Sequence, residues 1–136
     1  MISFISSGAN MRENDISKAI LSSAIEVHRT LGGPGLLETV YEEALAWELE
    51  QMGLSVQRQL EVPILYKGMR LRTPLRLDLL VDDLVIVECK ATTRRSEIFQ
   101  AQTLTYLRLM DCKLGVVVNF GERYVKDGFD RVVNGL

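Results

Sequence analysis

Arg76-Leu77-Asp78-Leu79-Leu80-Val81-Asp82-Asp83-Leu84-Val85-Ile86-Val87-Glu88-Cys89-Lys90 is the stretch that decides the fold. Leu75–Val81 and Val85–Cys89 are short, strongly apolar runs on either side of Asp82-Asp83, which predicts two strands of a hairpin buried on both faces. Strand alternation then points Glu88 and Lys90 the same way and Cys89 the opposite way. With a three-residue loop, Asp82-Asp83-Leu84, Val81 pairs with Val85 and Asp78 lands opposite Glu88. A two-residue Asp82-Asp83 turn would shift the pairing by one and separate the acids. Carboxylates on directly opposed residues, with Cβ atoms about 4.5–5.5 Å apart, repel one another and are costly to bury unpaired. A divalent cation between them removes both costs, and hard oxygen donors suit Mg²⁺ or Mn²⁺. Lys90 would sit beside that cation, able to hold or deprotonate a water and to neutralise charge growing on a phosphoryl group. The plain alternative is a Glu88/Lys90 pair balancing a half-buried strand end. Burial tells against it, because Val85-Ile86-Val87 and Leu77, Leu79, Leu80 leave little reason for acids other than function.

Upstream of the hairpin the period is helical. Ile16, Ile20, Ala24, Val27 and Leu31 mark one buried face from Ile16 onward, with Asp15 as N-cap and Gly32-Gly33-Pro34-Gly35 as the stop. A second helix is expected from Leu36 to Met52, with Val40, Leu45, Leu49 and Met52 facing inward and Gly53 at C′. Ser55–Gln59 and Pro63–Tyr66 read as strands, with Lys67-Gly68 as a turn. Downstream, Ser96 to Met110 returns to helical spacing through Phe99, Leu104, Leu107 and Met110. Leu114–Asn119 (LGVVVN) is another buried strand, and Arg123–Val133 a last edge strand. Residues 1–10 are expected to be a disordered extension, and 11–136 a single α/β (α+β) domain with a mixed central β-sheet flanked by helices.

The chain has 136 residues, 16 Lys+Arg against 18 Asp+Glu, and 47% hydrophobic residues. That suits one globular domain and excludes wholesale disorder. No apolar run approaches the ~20 residues of a membrane span, so no membrane partner is expected. Cys89 and Cys112 lie in no CxxC or Cys/His cluster, which excludes zinc fingers and disulfide scaffolds. With no secretory signal and free thiols, the expected location is cytoplasmic. The net charge of −2 hides a split: residues 1–57 carry −5 and residues 58–113 carry +3. A basic middle segment is compatible with a phosphate-bearing partner, and equally with a solvated surface of mixed sign.

In the third helix Gln102 and Tyr106 are four apart and share a face. Gln102 is suited to orient a water or a phosphate oxygen, and Tyr106 to stack on a base or bond a phosphate. The alternative is an amide and a phenol at the border of the core. His28 is the single histidine; it reads either as a metal ligand or as a core or cap residue near a helix C-terminus. Trp47 and the methionines sit at helical positions and read as packing, and Cys89 as a small buried apolar residue.

Gly35-Leu36-Leu37-Glu38-Thr39-Val40-Tyr41 matches a G-x-x-E-x-x-Y signature, and the chain resembles the GxxExxY proteins over about residues 15–136. The resemblance runs through Ala24-Ile25-Glu26-Val27-His28, Tyr41-Glu42-Glu43-Ala44-Leu45, the hairpin, Ala101-Gln102…Tyr106-Leu107, Asn119-Phe120-Gly121 and Val132-Val133-Asn134-Gly135-Leu136. These proteins belong to the PD-(D/E)xK, restriction-endonuclease-like nucleases. The resemblance implies a restriction-endonuclease-like core and a metal-dependent phosphodiesterase site. It implies that Asp78 and Glu88 bind Mg²⁺ or Mn²⁺, that Lys90 is the catalytic lysine, and that Gln102 and Tyr106 form the QxxxY element of the RecB-like branch. It also implies Glu38 as a third metal-site acid, for which the sequence alone offers little, since a Glu in a first helical turn is ordinary dipole compensation. Two departures are visible: Leu77 stands where a Pro is usual, and Thr92-Thr93-Arg94-Arg95-Ser96 is unusually basic.

The expected function is therefore a metal-dependent nuclease, with DNA ahead of RNA as the polymer and Arg76, Arg94, Arg95 and Tyr106 contacting it. The alternative is a nucleic-acid- or partner-binding module that retains the fold with little or no cleavage. A homodimer or larger scaffold is also open, because LGVVVN and the C-terminal strand read as possible edges.

Overall fold

The computed structural model describes residues 9–94 and 97–136. The chain runs α1 (Ala9–Leu31), α2 (Glu38–Gln51), β1 (Val56–Val62), β2 (Leu65–Tyr66), β3 (Met69–Arg70), β4 (Leu75–Val81), β5 (Val85–Lys90), α3 (Glu97–Met110), β6 (Leu114–Asn119) and β7 (Phe129–Val133). A 3-10 turn, Val125–Gly128, precedes β7.

The expected loop closes the hairpin: Leu84 N–H donates to Val81 O at 3.0 Å, with Asp82 and Asp83 at positive φ. Short polar side chains tolerate that conformation best after glycine. Val81 pairs with Val85, Leu80 with Ile86 and Leu79 with Val87, the register expected of a three-residue loop. The five-stranded sheet is ordered β1-β4-β5-β6-β7, and its β5–β6 pair is parallel while the others are antiparallel. A parallel neighbour needs a crossover, and α3 supplies it.

Helices cover both faces. Ile20, Ala24 and Val27 of α1 and Leu45 and Leu49 of α2 pack with Val85, Val87, Cys89, Val116 and Val118. On the other face Leu107 of α3 packs with Leu75, Leu77, Leu80, Ile86 and Val117. The expected mixed sheet flanked by helices is the one that forms.

Several local expectations need correction. Helix α1 starts at Ala9, so Asp15 lies within it and caps nothing. Distant partners hold the added turns, with Arg12 ion-paired to Asp82 in the hairpin loop and Asn14 bonded to Arg131 of β7. The expectation of a disordered 1–10 segment falls mostly outside the described residues, although Ala9 and Asn10 belong to α1. Helix α2 buries Tyr41, Glu42, Leu45, Ala46 and Leu49, whereas Val40, Trp47 and Met52 are exposed. Trp47 and Met52 are thus not core packing, and neither is Met69. Pro63–Tyr66 contributes only Leu65–Tyr66, paired with Met69–Arg70 in a separate small hairpin. Of Arg123–Val133 only Phe129–Val133 is strand. LGVVVN is an interior strand between β5 and β7, so it offers no edge; β1 and β7 are the outer strands.

Candidate active site

Asp78 sits where the sheet's hydrogen bonding is interrupted on both sides. The β1–β4 ladder passes from Arg58↔Leu79 to Leu60↔Leu77, skipping the Gln59–Asp78 pair, and Gln59 has φ of 50°. The β4–β5 ladder ends at Leu79↔Val87, one position short of Asp78 and Glu88. Leu75 and Leu77 belong to the α3-side core while Leu79 and Val81 belong to the other, so the facing of β4 changes at Asp78.

The carboxylates take over the missing backbone contacts. Cys89 N–H donates to Asp78 Oδ2 at 2.8 Å, and Asp78 N–H donates to Glu88 Oε2 at 3.0 Å. Each acid is thereby held by the opposite strand, and the expected juxtaposition of Asp78 and Glu88 is present. Glu88 is 4% exposed. Burial, and then the charge of Asp78, raise its pKa to about 8, against the opposing pull of the Asp78 N–H and of Lys90.

Lys90 places its Nζ 4.8 Å from the centroid of the Phe99 ring, so α3 contributes a wall to the ammonium. Helix α2 brings two acids toward Asp78. Glu38 is exposed at the start of α2, and partial desolvation and then the charge of Asp78 raise its pKa, with Lys90 and a hydrogen bond from Ala91 N–H pulling the other way. The acid that only the resemblance suggested therefore faces the same place. Glu42, one turn on, was not anticipated. It is 1% exposed, accepts from Gln59 Nε2 at 2.7 Å and from Arg58 Nε at 3.3 Å, and has its pKa raised by burial and then by Asp78. Gln59 Nε2 also reaches Asp78 Oδ1 at 3.3 Å, which links Glu42 to the central acid. Its sequence signal was the i,i+4 spacing from Glu38, obscured because apolar residues lie all around α2.

The G-x-x-E-x-x-Y spacing acquires a physical account. Gly35 has φ of 116°, and Tyr41 Oη accepts from Leu36 N–H at 3.0 Å and donates to Gly33 O at 2.8 Å. The tyrosine clamps the loop that delivers Glu38. Its ring stacks on Phe120 at 4.7 Å, and His28 packs against both rings with Nε2 3.0 Å from Glu122 O. His28 occupies the core role rather than joining the acids.

Tyr106 is partly buried, and burial followed by the charges of Glu88 and Asp78 raises its phenol pKa, so it borders the site. Gln102 is exposed one turn earlier on α3. Arg76 is exposed and ion-paired with Glu61 of β1. Arg94 is exposed in the segment after β5, and Arg95 lies outside the described residues.

The chain leaving Lys90 is fastened to the end of β6. Phe120 N–H donates to Lys90 O at 2.8 Å, while Asn119 exchanges hydrogen bonds with Thr92 N and O at 3.1 and 3.0 Å. A Cβ on Gly121 would meet Thr92 O at 2.2 Å, a backbone atom with no easy retreat. Gly121→Ala is accordingly expected to cost about 2–4 kcal/mol, read as a fall in denaturation midpoint at unchanged m value.

In kind, the donors fit a hard divalent cation: a buried Glu88 carboxyl and a half-buried Asp78 carboxylate set side by side, each raising the cost of ionising the other, which a cation between them would offset. In arrangement, no three His, Cys, Asp or Glu side chains converge as a metal-ligand group among the described residues. No helix among them is long and apolar enough to cross a membrane.

No curated protein and no solved structure matches the chain. A family model described as the PD-(D/E)XK nuclease superfamily matches residues 14–132, which takes in all the acids above, Lys90 and Tyr106. The mixed sheet flanked by helices is consistent with a restriction-endonuclease-like core, and members of this superfamily generally use divalent metal ions. By that match, the chain belongs to the PD-(D/E)XK nuclease superfamily.

Proposed function

We propose that this protein is a cytoplasmic nuclease that hydrolyses phosphodiester bonds of DNA, or of RNA, with Mg²⁺ or Mn²⁺, and that it is a GxxExxY protein of the RecB-like branch. The observation that carries the reading is the Asp78–Glu88 pair, two carboxylates held face to face by exchanged backbone hydrogen bonds at a gap in the sheet. Asp78, Glu88 and Glu38 would hold the metal, which when bound supplies positive charge for phosphoryl oxygens and lowers the pKa of a bound water. Lys90 sits on the Glu88 strand, where its ammonium orients the attacking water and offsets charge building on the phosphoryl group. Glu42, through Gln59, keeps Asp78 from swinging out of its bond to Cys89 N–H. Gln102 is assigned to the catalytic group, supporting the attacking water, and Arg76, Arg94, Arg95 and Tyr106 to contact with the nucleic-acid backbone; a homodimer stays part of the proposal.

A second reading, a binding module with little cleavage, is favoured by one observation: no trio of ligating side chains converges among the described residues. Incubating the chain with single- and double-stranded DNA and RNA in Mn²⁺, Mg²⁺ or EDTA separates the two. Cleavage that requires the metal is expected. Binding of the polymer with neither cleavage nor calorimetric metal binding would establish the module instead.

A further inference from the structure

We propose that a second surface, formed by Arg29 at the end of α1, the Gly32-Gly33 turn, and Arg123, Tyr124 and Lys126 before β7, binds single-stranded nucleic acid. These residues line a concavity of about 490 Å³, together with Ile25, His28 and Val125. Its lining carries three Arg or Lys side chains and no Asp or Glu, in a chain whose net charge is −2. Tyr124 is 54% exposed, and the Arg123 guanidinium carbon lies 5.2 Å from its ring centroid. An exposed aromatic face beside cations suits an unpaired base flanked by phosphates. Bases in a duplex present no free face to such a ring, which is why the occupant is a single strand.

The acids beside this surface, Glu26, Glu122 and Asp127, are not part of its lining. Glu26 pairs with Arg29, but both side chains are well exposed, and exposed pairs exchange partners at little cost. Arg29 is thereby available to phosphate. Asp127 follows Lys126 in sequence and is absent from the lining.

The surface adjoins the active site through a shared wall. His28, which lines the concavity, packs on Tyr41 and Phe120. Tyr41 clamps the loop that delivers Glu38, and Phe120 N–H binds Lys90 O. A strand seated on Tyr124 is therefore held at the same end of the sheet as the acids. That the strand is also the substrate rests on the proposed nuclease reading; the binding does not.

The test is fluorescence anisotropy of the full chain in EDTA with a labelled oligothymidylate of about 20 nucleotides, longer than the roughly 4–16 that a single OB fold covers. Tyr124→Ala is expected to weaken binding roughly 5- to 150-fold, the range of one base stack. Arg123→Ala and Lys126→Ala are each expected to weaken it and to lower the slope of log K against log salt by about 0.7. All three side chains are exposed, and unchanged melting curves confirm intact variants. Variants that bind like the wild type, or a wild type that binds no strand, would overturn the proposal. So would displacement by inorganic phosphate at low concentration, which would make the concavity a site for small phosphates. Metal-dependent cleavage with unaffected strand binding in the variants removes this surface and leaves the nuclease reading standing. Strand binding lost in the variants of a chain that never cleaves supports the surface and removes the nuclease.

Discussion

Lys90→Ala is expected to lower metal-dependent cleavage by roughly 10²–10⁴-fold, the range for losing a positioned proton-transfer or charge-stabilising group. The side chain ends against Phe99 and packs into neither core cluster, so the melting temperature should change little. Lys90→Arg should not restore the rate, because a planar guanidinium cannot replace a compact ammonium in that space. Asp78→Asn should be at least as damaging for a different reason. Asp78 lies next to Glu88, Glu38 and Glu42 and raises the pKa of each. Neutralising it removes both a metal-binding charge and the repulsion that a cation relieves, so calorimetric affinity for Mn²⁺ should fall along with the rate. Initial rates on a labelled oligonucleotide provide the measurement. Cleavage surviving both substitutions would rule out this site.

The second large effect is on stability against pH in the absence of divalent ions. Glu88 holds its proton to about pH 8 in the folded chain, whereas an unfolded glutamate loses it near its ordinary value of 4.5. Between those limits the native state binds more protons than the unfolded state, so stability falls as pH rises. The loss is complete above about pH 8 and is on the order of a few kcal/mol. Glu38 and Glu42 are shifted in the same direction and add to the slope. Thermal melts in EDTA from pH 5 to about pH 8.5 should show the decline. Glu88→Gln, which can still accept from Asp78 N–H, should flatten it and raise stability at the alkaline end. Millimolar Mg²⁺ should reverse the decline in the wild type, since a ligand that binds only the native state stabilises it. A Glu88→Gln variant that keeps the full slope would show that Glu88 does not carry it.

Much of this site was legible in the sequence because its signals are local. The length of the Asp82-Asp83-Leu84 loop sets the hairpin register as far as Leu79↔Val87, and one step further along it the side-chain-to-backbone bonds of Asp78 and Glu88 hold the two acids together. Alternation likewise turns Cys89 into the core, where it is fully buried. Helix α2 resisted the same treatment. Val40, Ala44, Leu45, Trp47 and Leu49 encircle it, so periodicity does not choose the buried face. Choosing the face with Val40 hides Glu42, which is among the most deeply buried acids of the site. Gln59 was illegible for another reason: nothing in Arg58-Gln59-Leu60 announces a positive φ, which arises opposite the break at Asp78.

The long helices, the strands of the five-stranded sheet and the pair of acids in its hairpin could be read from the chain alone. These depend on residues close together in the chain, through turn chemistry and the fixed periods of strand and helix. That Glu38 and Glu42 approach Asp78, that the ladders open around it, and that Arg29 meets Arg123 and Tyr124 across a shared hollow became visible in the folded chain. Those outcomes depend on which faces of α1 and α2 win burial against the sheet. That competition is settled by packing among residues far apart in sequence, which no local period records.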